Sequence, residues 1–345
     1  MLSKIGGVCV KIFPLSDPIL LPLAPTIARA IADYLQSIAQ KPQLNSLQKN
    51  WAGDVTELPP DLYGHGQFQR SIRQIPTSQY QYVSTIAHQL AAKSSLTPLE
   101  ICQNLDISIP TLAVVEGSVL LELDCWYNEA SYIYFQLAPK SIEIWLNYIH
   151  DLPFEPPRGT GSSRSTGSSL QGRDSVNDLA IYAHARCCSL LKLAANEKIV
   201  KIASDWQISR SNLLLDPTPV NNQPTTDSNC IFEHPAEQQL IQTLMAVLDG
   251  IYSDNWQLES SQTASTEQIS RRGCNGHQKS PNWTKLTIDL AQSWLEFNRR
   301  CQIFGEIKDR NPRLAIARCV LTAISRRYLR VLLENYLGVE AAVSL

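Results

Sequence analysis

Residues 153–175 carry Pro153, Pro156, Pro157, Gly159, Gly161 and Gly167 among a run of Ser and Thr, and such a stretch offers nothing from which to build a core. It is expected to be a flexible linker, which divides the chain into residues 1–152 and 176–345. At 345 residues and 44% hydrophobic composition, there is enough apolar material for a separate core on each side.

The two sides differ in period. Before the linker, Leu112–Val115, Val119–Leu123 and Ser131–Leu137 are short, β-branched or aromatic, and punctuated by Gly117 and by Asn128 with Glu129. They read as strands of a small antiparallel sheet. Helices are expected over about 26–39, 80–93, from Thr97 onward and 141–149, with Thr97, Pro98 and Glu100 in the order of a helix start. The first unit is therefore expected to be an α+β domain. After the linker, the apolar positions recur at helical spacing over about 175–203, 234–251, 283–304 and 311–337, with polar insertions near 213–230 and 255–280. No strand signal competes, and the second unit is expected to be an all-α helical bundle with Gly338 as the cap of its last helix.

Several function classes are disfavoured. No uninterrupted apolar run approaches the roughly 18 residues of a membrane span, and Ile5–Phe13 is broken by Lys11 and Pro14 without a convincing cleavage site. No membrane partner is expected. The nine scattered cysteines, several within apolar patterns, suit free thiols in a reducing, cytoplasmic setting. Cys274 and His277 are the only close Cys/His pair, with no second pair at ligand spacing, so no metal site is expected. Phosphate-cradling glycine loops, nucleophile elbows and His-Glu-x-x-His helices are missing, and no cofactor is expected.

Charge is uneven. Residues 299–330 hold nine basic residues against Glu306 and Asp309, within a chain whose formal net charge is −2. The last helix has an apolar stripe at Leu314, Ala317, Leu321, Ile324, Tyr328, Val331 and Leu332. Arg326 and Arg330 project from its opposite face, with Arg327 to one side. Arg318, Arg326, Arg327 and Arg330 are thus candidates for tracking an RNA backbone, extended by Arg299 and Arg300 of the preceding helix. Trp283, beside Pro281 and Asn282 at a helix start, is the candidate for stacking a base. Trp294, Phe297 and Tyr328 fall on apolar stripes and are expected in the core.

Arg186 needs a reason of its own. Its helical neighbours are Leu179, Ala183, Leu190 and Leu193, while Ile181, His184, Cys188 and Leu191 make the other face apolar too. A central helix with Arg186 turned inward is expected, braced by a carboxylate such as Glu296 or Glu334 or holding an anionic ligand, the internal pair being favoured. His184 has no carboxylate or nucleophile at a telling spacing and is expected to be a packed histidine.

The run Tyr182, Ala183, His184, Ala185, Arg186 resembles the opening helix of the DALR-type anticodon-binding domain of arginyl-tRNA synthetases. Leu290, Ala291, Phe297, Asn298 and Cys301, then Arg313 to Leu329 and Leu337, Gly338, Val339, look like that domain's closing helix pair. Tyr82–Lys93, Thr97–Asn104 and Tyr132–Pro139 more distantly resemble the same synthetases' N-terminal appended domain. The family's His-x-Gly-His and Lys-Met-Ser-Lys-Ser-like motifs do not occur; His65 with Gly66 and Lys279 with Ser280 are fragments. The resemblance therefore implies binding of tRNA or tRNA-like RNA without arginine activation, with Tyr182 and Arg186 near the contact surface if RNA docks there. Two departures, the polar insertions and an end of Ala341, Ala342, Val343, Ser344, Leu345 in place of the family's Glu-Arg-Met type tail, point instead to a protein-interaction or regulatory module. An accessory subunit of a separate arginyl-tRNA synthetase is the third reading.

Overall fold

The computed structural model describes residues 2–5, 8–14, 23–24, 27, 31, 71–75, 80–92, 96–104, 111–116, 119–151, 173–203, 206–209, 231–263 and 281–344. Most of the helix expected over 26–39, linker residues 153–172, the insertion at 213–230, His65, Lys279 and the Cys274–His277 pair lie outside them. The chain separates into two compact units, Met1–Trp145 and Leu146–Leu345, so the division falls inside a helix, ahead of the Pro/Gly/Ser stretch.

The first unit is α+β. Its elements run β1 (Leu2–Ile5), β2 (Val8–Pro14), β3 (Ile72–Gln74), β4 (Gln81–Ser84), α1 (Ile86–Ala91), α2 (Pro98–Asn104), β5 (Thr111–Glu116), β6 (Val119–Tyr127), β7 (Ile133–Leu137) and the start of α3 (Pro139–Asp151). The strands form one sheet in the order β1-β2-β5-β6-β7-β4-β3, antiparallel throughout except for β2 beside β5. Alternation places Ile133, Phe135 and Leu137 of β7 in the core, with Tyr134 and Gln136 half-buried between them. Leu121 and Leu123 on β6 and Tyr82 on β4 complete that buried face.

The helix expected over 80–93 is corrected by this pairing. Gln81–Ser84 pairs with both β3 and β7, and only Ile86–Ala91 is helical. A strand of four residues spans too little chain to set its period apart from one turn of helix, so the register with β7 decides. At Thr97 the expected helix start is realised as a capping box: Glu100 N–H donates to Thr97 Oγ1 at 3.3 Å, and Thr97 N–H donates to Glu100 Oε2 at 2.8 Å. These bonds hold the Glu100 carboxyl below its usual range.

The second unit is helical, with α4 (Arg173–Asn196), α5 (Pro235–Thr263), α6 (Trp283–Arg300), α7 (Glu306–Arg310) and α8 (Pro312–Val331), then a π-helical turn, Leu332–Leu337. Here α5 continues into the stretch expected to be a polar insertion, as far as Thr263. Asn282 caps α6 by accepting from Lys285 N–H at 3.0 Å, and Asn311 caps α8 by accepting from Leu314 N–H at 3.1 Å, with Pro312 in the first turn. α6 packs on α4, α5 and α8, while α8 packs on α4. At the α5–α6 crossing, a Cβ on Gly250 would lie 2.9 Å from Leu286 Cδ1, the end of a flexible side chain that would have to shift to admit it. Gly338 ends the last turn at φ +68°, with Val339 N–H donating to Leu333 O, the left-handed cap expected of it.

The central helix is α8, not α4. From Ala315 to Leu329 nearly every position of α8 is buried, including Thr322 and Ser325, which return their hydroxyls to the carbonyls one turn back. α4 instead buries its small residues, Ala180, Ala183, Ala185, Cys187, Cys188 and Ala194, and leaves one side in solvent.

Candidate nucleic-acid interface

Because α8 is enclosed, its arginines do not share one exposed face. Arg318 is 7% exposed; its Nε donates to Glu237 Oε1 at 2.6 Å and its Nη1 donates to Gln302 O. Glu237, in the first turn of α5, also accepts His234 N–H at 3.0 Å, so both of its carboxylate oxygens are engaged. Arg326 is 5% exposed, donates from Nε to Cys188 Sγ at 3.3 Å, and lies 4.6 Å from the centroid of the Trp206 ring. Arg327 is half-buried and reaches the carbonyls of Ile149 and His150 at 3.4 and 3.3 Å, at the negative end of α3. The expectation that Arg318, Arg326 and Arg327 face solvent is therefore overturned; each spends donors inside the fold.

The remaining expected contacts are exposed but paired, Arg330 with its own glutamate and Arg299 and Arg300 sharing one, which leaves that cluster a net charge of +1. Arg330 donates to Glu334 at 2.9 Å, and Glu296 accepts from Arg299 at 2.7 Å and Arg300 at 2.9 Å. Those bonds lower the Glu296 carboxyl below its usual range, which keeps the cluster paired at neutral pH. Lys308 pairs with Glu197 and Arg310 with Glu306 in the same way. Trp283 is not an open platform: it is half-buried, and its ring stacks on Tyr336 with centroids 3.8 Å apart. Trp294, Phe297 and Tyr328 are buried as expected.

The solvent side of α4 holds what α8 lacks. Tyr182, Arg186, Ser189 and Leu193 follow at spacings of four, three and four, and all are exposed, Tyr182 and Leu193 each by 44%. Arg186 thus points outward, against the expectation of an inward brace, and no carboxylate pairs with it among the described residues. Glu296 and Glu334 are engaged elsewhere. Of the four neighbours that suggested an inward Arg186, Ala183 and Leu190 are buried, but Leu179 is only half-buried and Leu193 is a surface leucine.

His184, on the opposite side of the same helix, is packed as expected. Its Nδ1–H donates to Ala342 O at 2.7 Å, tying the segment after the last turn across α4, and its Nε2 is buried without a partner. Burial is the main cause that lowers its pKa, with Arg326 and Arg330 adding to it, so the imidazole is neutral at pH 7. His184→Asn keeps a donor near the position of Nδ1, whereas His184→Leu keeps only bulk. Amide exchange at 340–344 is expected to stay near wild type in the first variant and to accelerate by about tenfold in the second, the loss of one net hydrogen bond of roughly 1 kcal/mol.

Sequence reasoning passed over Trp206, Lys192 and Glu237, and read Cys188 only as a buried free thiol, which it is. Trp206 sits in a tight turn where Ala203 N–H donates to Gln207 O and Trp206 N–H donates to Ala203 O, and no periodicity marks it. Glu237 carried the weak signal of an acid in a first helical turn, which gives no hint of a partner 81 residues away. Among the described residues no group of His, Cys, Asp and Glu could hold a metal ion, and no helix is long and apolar enough to cross a membrane. No family model matches the chain, and no curated protein and no solved structure matches it.

Proposed function

We propose that the chain is a non-catalytic, cytoplasmic RNA-binding protein that takes tRNA or tRNA-like RNA on the solvent side of α4. One observation carries the reading: Arg186 is exposed, has no carboxylate partner among the described residues, and stands one helical turn from exposed Tyr182. A ring that stacks an unpaired base and a guanidinium that meets a phosphate form the basic unit of single-stranded RNA recognition. The sequence resemblance to the anticodon-binding domain of arginyl-tRNA synthetases supports the same helix. Without that family's nucleotide-binding motifs, the reading includes no arginine activation.

The ion pairs set the expected strength of the salt effect. With Arg299, Arg300 and Arg330 each held by a glutamate, the cations free for phosphates are few. Log affinity against log salt is expected to slope at about −1 to −2, rather than the −3 to −4 that about four phosphate contacts give. Mobility-shift titrations of a tRNA transcript at several salt concentrations measure this. Absence of binding at low salt ends the reading.

Exposed Leu193 on the same stripe favours a second reading, a protein-interaction or regulatory module whose partner covers Tyr182 and Leu193. A separate arginyl-tRNA synthetase is one such partner, with the chain as its accessory subunit. A change in aminoacylation rate on adding the chain to a synthetase, lost in Leu193→Asp, supports that version; an unchanged rate removes it.

A further inference from the structure

Among the described residues, Arg326 is a buried arginine of α8 with no carboxylate beside it. It is 5% exposed, its Nε is spent on a neutral acceptor, Cys188 Sγ, and no acid pairs with it among the described residues. Arg318, equally buried on the same helix, has Glu237, so the contrast is internal to the fold. A buried guanidinium without a counter-charge is costly, and its terminal nitrogens still need acceptors. Among the described residues no acceptor meets those nitrogens, and 5% of the residue's surface remains in solvent.

A second cation lies against the same ring. Lys192 lies 5.5 Å from the centroid of the Trp206 ring that Arg326 approaches at 4.6 Å. Lys192 follows Cys188 by one turn of α4, is exposed, and likewise has no carboxylate among the described residues. The ring is held there at a conformational cost: Trp206 has φ +68°, a left-handed backbone that a bulky side chain rarely adopts. Burial and the Arg326 charge both lower the pKa of nearby His184, while Glu334 opposes the effect of its partner Arg330.

We infer that Arg326, Lys192 and Trp206 form a binding site for a phosphate group, in which the terminal nitrogens of Arg326 donate to two phosphate oxygens, the Lys192 ammonium closes over a third, and the indole fixes both cations. Guanidinium geometry matches two oxygens of one tetrahedral anion, and the flexible lysine stem supplies the remaining charge. The site is distinct from the Tyr182–Arg186 stripe and stands whether or not that stripe binds RNA. Its phosphate comes from a free anion or from a nucleic-acid backbone.

Calorimetric titration of the full chain with inorganic phosphate, at low ionic strength, tests this. Saturable binding to one site is expected, weakened by about threefold or more in Lys192→Met and by about tenfold or more in Arg326→Gln. If Arg326→Gln fails to fold, Lys192→Met decides alone, since its side chain is on the surface. No saturable binding, or equal affinity in wild type and Lys192→Met, overturns the inference. A single-stranded RNA competing with phosphate in the wild type assigns the site to backbone phosphates. Phosphate binding that RNA does not displace assigns it to a free anion. If phosphate binds while tRNA does not bind at all, the site stands and the RNA-binding function falls.

Discussion

Glu237→Ala is expected to destabilise the helical unit by about 3 to 5 kcal/mol, the cost of leaving a buried guanidinium without its counter-charge. Both partners are sealed, Arg318 side chain at 8% and Glu237 at 1% exposure, so solvent cannot replace the lost carboxylate. The substitution also strips His234 N–H of its acceptor at the start of α5, and leaves the bond from Arg318 to Gln302 O to hold the charge alone. Urea denaturation followed by circular dichroism should show a lower midpoint with little change in slope. The double variant Glu237→Leu with Arg318→Met removes both charges and is expected to recover much of that loss. A loss of under about 1 kcal/mol in the single variant would show that water reaches the pair.

That pair also shows why the sequence misplaced the arginines of the last helix. The helical period of α8 was legible, as was the cap at Gly338 that closes the turn after it. Counting arginine as polar put Arg326 and Arg330 on one solvent face, with Arg327 to one side, and made Arg318 a candidate contact with them. Burial on all sides of a helix is not visible when charged residues sit in the pattern, because their partners come from distant segments: Glu237 from α5, Cys188 from α4, Trp206 from a turn. The reverse error occurred on α4. Surface Leu193 made an amphipathic helix look apolar all round, and Arg186 was drawn inward with it.

Fold class was more legible than site for a physical reason. The strands around Val114, Leu121 and Phe135 and the helices of the second unit announce themselves by local periods of 2 and 3.6, which a single segment carries. β4 did not, because four residues that begin with Gln81 and end at Ser84 satisfy either period, and only hydrogen bonding to β7 and β3 fixes them as a strand. Which charges remain unpaired is a property of the whole fold. It separates Arg186 from Arg330, two exposed arginines that composition treats alike.

RNA affinity should follow that distinction. Tyr182→Ala is expected to weaken tRNA binding by about tenfold to a hundredfold, since a base stacked on a ring contributes roughly 1 to 3 kcal/mol. Arg186→Ala should lower affinity and make the salt slope shallower by a little under one, because one phosphate contact and its released counterion are lost. Arg330→Ala, in contrast, should leave affinity near wild type: its Nε is engaged by Glu334, whose charge already offsets it, and the substitution removes one positive charge while freeing one negative charge. The two helices therefore make opposite demands on one experiment. If Arg330→Ala abolishes binding while Tyr182→Ala and Arg186→Ala do not, RNA lies on α8 after displacing its ion pairs, and the exposed side of α4 is left for a protein partner.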